Sequence, residues 1–177
     1  EMESFLRVML TITKPKRILE LGTAVGYSAI LMSEAIEKDA SIITIENYEK
    51  RIVQARDNFK KADKEDVITM LEGDAMEIMP GLEGDSFDFV FMDAAKGHYL
   101  NFLPRVLELL QPEGILISDN VLQDGDIIES RFAVTRRNRT IHKRMREYLY
   151  TLTHSEELTT AVLPVGDGIT ISTKTVS

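Results

Sequence analysis

Five short apolar runs, at residues 17–22, 41–46, 67–72, 87–93 and 115–120, alternate with stretches whose apolar residues recur at helical spacing. That alternation narrows the fold more than any other feature of the chain. Near-continuous apolar strands separated by helices predict an α/β, Rossmann-like domain: a mostly parallel sheet, covered on both faces, with its ligands at the carboxyl ends of the strands. Residues 158–165 and 169–174 flank Gly166-Asp167-Gly168 and read as a tight hairpin, which brings the sheet to seven strands and gives it an antiparallel C-terminal end. Helical patterns cover residues 27–37, with Ile30, Leu31 and Ala35 inward, and 48–62, with a charged outer face. Further helices are expected over 99–110, closed by Pro112 and Gly114, and over 140–152. Residues 1–13, where Phe5, Val8, Met9 and Ile12 share helical spacing, read as the last part of a helix. No repeat, low-complexity tract or linker divides residues 1–177, so one domain is expected.

The first run continues as Glu20-Leu-Gly-Thr-Ala-Val-Gly-Tyr-Ser28, a strand, a tight turn and the start of a helix. Gly22 and Gly26 lack the Cβ atoms that would hold a ligand off the turn, and the helix offers unpaired N–H groups; the same glycines equally serve a plain tight connection. The G-x-x-x-G spacing is not the dinucleotide fingerprint. Glu20 would repel a pyrophosphate but welcome a cationic amino group, so S-adenosylmethionine fits better than NAD. Glu46 ends the second run 24 positions after Gly22, where a ribose would lie in a doubly wound sheet. Asp74 after the third run could accept from an adenine amino group or simply cap a helix.

Asp93 ends the fourth run, and Asp119-Asn120 ends the fifth. With those strands adjacent, three oxygen side chains converge, a set suited to Mg²⁺, Mn²⁺ or Ca²⁺; an aspartate at a strand end is otherwise a common turn former. Lys96 lies three residues after Asp93, and a lysine beside a divalent cation is a plausible general base. His98 is the competing base.

There is no cysteine, which excludes disulfides and thiolate chemistry. No run approaches a membrane span and no signal peptide opens the chain, so a cytoplasmic protein without a membrane partner is expected. The net charge is −8, unevenly spread. Residues 131–146 hold seven Lys and Arg and no acid, leaving 14 basic residues against all 29 acids elsewhere. An acidic body with one basic segment can bind nucleic acid locally.

Taken together, Glu20 to Ser28, Glu46, Gly73-Asp-Ala75, Met92-Asp-Ala-Ala-Lys96 and Asp119-Asn120 resemble the cation-dependent O-methyltransferases, which include catechol and caffeoyl-CoA methyltransferases. The resemblance spans almost the whole chain and implies a class I S-adenosylmethionine-dependent methyltransferase. It implies that Glu20, Gly22, Thr23, Gly26, Tyr27, Ser28, Glu46, Asn47, Asp74, Ala75 and Asp93 hold the cofactor. Asp93, Asp119 and Asn120 would hold the cation, and Lys96, with Asp93, would be catalytic. Homodimerisation and further N-terminal helices over the pocket are implied in the same way.

Plant and catechol members continue after the Asp-Asn pair with a Trp-bearing loop; here Val121-Leu-Gln-Asp-Gly125 and the basic segment follow. In this the chain is similar to bacterial tRNA 5-hydroxyuridine methyltransferases. The expected reaction is therefore methylation of a wobble 5-hydroxyuridine in a tRNA anticodon loop, with Arg136, Arg137, Arg139, Lys143, Arg144 and Arg146 on the phosphates. A 5-hydroxyl beside the O4 carbonyl can chelate a cation much as a catechol does. The alternatives are a methyltransferase of small catechol-like vicinal hydroxyls, and a nucleotide- or RNA-binding module without turnover.

Overall fold

The computed structural model describes residues 1–84, 86–122 and 139–176. Seven strands form one sheet: β1 (Arg17–Leu21), β2 (Ser41–Glu46), β3 (Ile68–Glu72), β4 (Phe87–Met92), β5 (Leu110–Ser118), β6 (Leu158–Leu163) and β7 (Ile169–Lys174), in the order β3-β2-β1-β4-β5-β7-β6. The first five are parallel, and β7 runs antiparallel to both β5 and β6, as the sequence pattern predicts. Helices α1 (Met2–Thr13), α2 (Tyr27–Ala35), α3 (Glu49–Lys61), α4 (Ala75–Ile78), α5 (Tyr99–Leu109) and α6 (Arg139–His154) complete the alternation. Among the described residues no helix is long and apolar enough to cross a membrane.

The strands bury both faces because successive side chains point opposite ways. Ile18, Phe89, Phe91 and Ile117 join Leu6 and Leu10 of α1, Leu31 and Met32 of α2 and Phe59 of α3. Leu19, Leu21, Val90, Met92 and Leu116 join Tyr99, Phe102 and Val106 of α5 and Met145, Tyr148 and Leu152 of α6. The chain therefore changes direction between β1 and β4, and the carboxyl ends of these strands flank the crevice where such sheets bind ligands.

One local reading is refined and another corrected. On α1 the fully buried pair is Leu6 and Leu10, and of the four residues noted at helical spacing Phe5 and Met9 pack against the same cluster while Val8 and Ile12 are 54% and 70% exposed. The fifth strand begins at Leu110, not Ile115: it pairs Leu110 with Phe87 and resumes pairing Ile115 with Phe89. Pro112 and Gly114, which read as a break, sit in the bulge between, where Glu113 takes φ 63°.

Candidate active site

Pairing beyond the strand ends brings the site together. The Asp93 N–H donates to the Leu21 carbonyl and the Asp119 N–H to the Met92 carbonyl, both at 2.9 Å, so residues 22, 93 and 119 stand side by side at the crevice. Gly22 has φ 101°, and a Cβ there would lie 2.2 Å from the Asp93 carbonyl oxygen. Gly26 has φ 87°, and its Cβ would strike the Phe59 ring at 2.6 Å. The protein's own packing therefore gives both glycines a reason to be there, beside the ligand approach expected of them.

A cavity of about 380 Å³ opens over these ends, lined by Gly22, Glu46, Asn47, Asp74, Ala75 and Asp93 among others. Glu46 is fixed at its wall: one carboxylate oxygen accepts from the Ala24 N–H at 2.9 Å, the other from those of Asn47 and Tyr48 at 3.1 and 3.0 Å. Three of its roughly four acceptor positions are thereby filled, leaving room for one ligand hydroxyl. Asp74 caps α4 by accepting from the Met76 N–H at 2.7 Å and also lines the cavity.

Glu20 lies beneath the turn, fully buried, outside the residues lining either described cavity. Its carboxylate accepts from Ser28 Oγ and, at 2.5 Å, from Thr44 Oγ1, which in turn pairs with Thr23 Oγ1 at 2.6 Å. Burial is the main cause that pushes the Glu20 carboxyl up to about 7. Ser28 and Tyr27 line a second cavity of about 230 Å³ beside α1, which also reaches Asp93 and Asp119. Asp93 thus borders both spaces.

The three expected oxygen ligands meet. Asn120 takes φ 57° and its Nδ2 donates to Asp93 Oδ1 at 3.1 Å, while its N–H donates to Asp119 Oδ1 at 2.7 Å. Burial, then the charge of Asp119, pushes the Asp93 carboxyl up to about 6; burial raises Asp119 as well. Two partly buried carboxylates that disfavour each other's charge fit a hard cation, and a half-turn of the Asn120 amide would present its oxygen. Among the described residues no group of three or more His, Cys, Asp or Glu side chains is set to bind a metal, so a three-ligand set at this place would need the amide. Lys96 opens a 3₁₀ turn after β4, and its charge favours the ionised form of both aspartates. His98 lines the large cavity, stacked on Phe102 at 5.7 Å.

Residues 1–175 match the family model described as O-methyltransferase. The chain belongs to the O-methyltransferase family. It is 35% identical over 128 residues to a catechol O-methyltransferase of Niastella koreensis, covering 71% of this chain and 58% of that protein. It is 33% identical over 176 residues to caffeoyl-CoA O-methyltransferase 1 of Eucalyptus globulus, covering 94% of this chain and 70% of that one. An SAH-bound methyltransferase of Podospora anserina has the same fold, with TM-score 0.88 at 30% identity over 99% of this chain and 80% of that one. The chain thus spans 58% and 70% of the two curated relatives' own lengths.

In this O-methyltransferase-family chain the basic segment divides. Arg136 and Arg137 lie outside the described residues, as does the side chain of Arg139 at the start of α6. Lys143 pairs with Glu147 at 3.7 Å, and Arg144 Nη1 donates to the Gly97 carbonyl at 2.9 Å, tying α6 to the turn that carries Lys96. Arg146 is exposed on the same helix. Sequence reasoning missed Arg51, which lines the large cavity and favours ionised Asp93; on α3 it read as one charge of a solvated face. It also missed Tyr99, legible only as an apolar helix position.

Proposed function

We propose that this chain is an S-adenosylmethionine-dependent O-methyltransferase that methylates one hydroxyl of a small catechol-like vicinal pair, with a divalent cation held by Asp93, Asp119 and Asn120. The observation carrying this reading is the placement of Asp93: it borders the large cavity and the smaller one, beside Asp119 and Asn120. Glu46 and Asp74 supply acceptors for a ribose hydroxyl and an adenine amino group. S-adenosylmethionine, whose demethylated product SAH occupies the Podospora relative, would bring the sulfonium methyl, and the cation would bring the Lewis acidity that makes a hydroxyl proton easier to remove. Lys96, in its uncharged form, would take that proton at Nζ, leaving an oxygen to which the bound donor would supply its methyl group.

The order of the two substrate readings is reversed from the sequence expectation. Both curated relatives quoted are named for small phenolic acceptors, and Arg144 and Lys143 are engaged within the fold. The test offers labelled S-adenosylmethionine and Mg²⁺ with catechol, with caffeoyl-CoA, and with tRNA containing or lacking 5-hydroxyuridine. Transfer to a small vicinal diol is expected. Transfer confined to the 5-hydroxyuridine tRNA would restore the RNA reading.

A further inference from the structure

The geometry points to the buried hydroxyl of Tyr99 as the group that sets the spacing of the two strand-end carboxylates: a positioning residue that touches neither methyl donor nor acceptor. Tyr99 opens α5 yet turns its phenol back under the crevice, fully buried, with its oxygen 3.1 Å from the Met92 carbonyl and 3.0 Å from the Asp119 carbonyl. One proton serves two acceptors, and each acceptor belongs to the backbone beside or of a candidate ligand: Met92 precedes Asp93, and Asp119 is itself one. The Met92 oxygen also accepts from the Asp119 N–H at 2.9 Å. Asp119 is therefore held at both its N–H and its C=O, and the ring so closed joins the ends of β4 and β5.

That clamp opposes a real force. Asn120 must keep a left-handed backbone, φ 57°, to place its amide against Asp93. Without the phenol, the Asp119 carbonyl loses a buried donor, and the Asp119-Asn120 peptide can move away from Asp93. Tyr148 is the natural control. It meets the Tyr99 ring edge-on at 5.4 Å, but its hydroxyl pairs with Ser118 Oγ at 2.5 Å, a side chain and not the ligand-bearing backbone.

The inference rests on the cation reading above, and Mn²⁺ binding to the protein alone tests it by calorimetry. Tyr99→Phe keeps the ring and should weaken Mn²⁺ binding about fivefold to tenfold, the value of one neutral hydrogen bond, with SAH affinity unchanged. Tyr148→Phe should leave Mn²⁺ affinity within about twofold. The Mn²⁺-induced rise in melting temperature gives the same comparison if a variant is less stable. Wild-type binding with unchanged affinity in Tyr99→Phe overturns this role alone. Equal losses in both variants mark general loosening of the core and also overturn it. A wild-type protein that binds no Mn²⁺ overturns this role together with the cation reading.

Discussion

Asp119 joins the ends of β4 and β5 through its backbone, and its carboxylate accepts from the Asn120 N–H, so removing the side chain frees that one N–H while the strand-end pairing stays. Asp119→Ala should abolish methyl transfer while SAH binding, followed by calorimetry, stays nearly intact. Glu46 differs, because its carboxylate holds three backbone N–H groups of the cavity wall. Glu46→Ala should weaken SAH binding about tenfold or more, since charge-assisted hydrogen bonds are worth roughly 1.5–3 kcal/mol each. Glu20 supplies a pH signature. Its folded carboxyl, up at about 7, keeps a proton that the unfolded chain has already released above roughly 4.3. Its stabilising contribution is therefore complete at low pH and is lost as pH rises through 7, by as much as about 3 kcal/mol. Asp93, raised to about 6, acts with the same sign. The melting temperature should fall between pH 5 and 8, and Glu20→Gln should flatten that fall; parallel curves would show that Glu20 is ionised throughout.

Among the elements, the C-terminal hairpin supports the site from below. Its turn accepts the Val121 and Leu122 N–H groups on the Gly168 and Asp167 carbonyls, both at 2.9 Å, immediately after the candidate ligands. Gly168 has φ 82°, and a Cβ there would lie 2.2 Å from Leu122 Cγ. Gly168→Ala should destabilise the fold by about 1–3 kcal/mol in chemical denaturation and lower kcat more than SAH affinity, because the displaced segment leads into Asn120. The strands were legible because an apolar run buried on two faces has few other solutions. The bulge of β5 was not, since Pro112 and Gly114 announce a break without saying that the strand begins before it. The buried face of α1 was not legible for a related reason: Val8 and Ile12 are as apolar as Leu6 and Leu10, and only the neighbouring elements decide between them.

At the scale of the molecule, the uneven spread of charge does not by itself choose the partner. Seven cations in sixteen residues draw attention to RNA, yet a count of cations does not reveal that Arg144 holds the Lys96 turn. The candidate site was more legible than the substrate, because Asp93 and Asp119-Asn120 occupy strand ends that the topology forces together, whereas Tyr99 and Arg51 act from helix positions with no distinguishing pattern. The central claim is that methyl transfer takes place at the strand ends where Asp93, Asp119 and Asn120 hold a divalent cation. Labelled methyl transfer to catechol, measured with Mg²⁺ and again after exhaustive chelation, tests it most directly: transfer should fall to background on chelation and return when Mg²⁺ is restored, and undiminished transfer in the chelated protein would contradict the account.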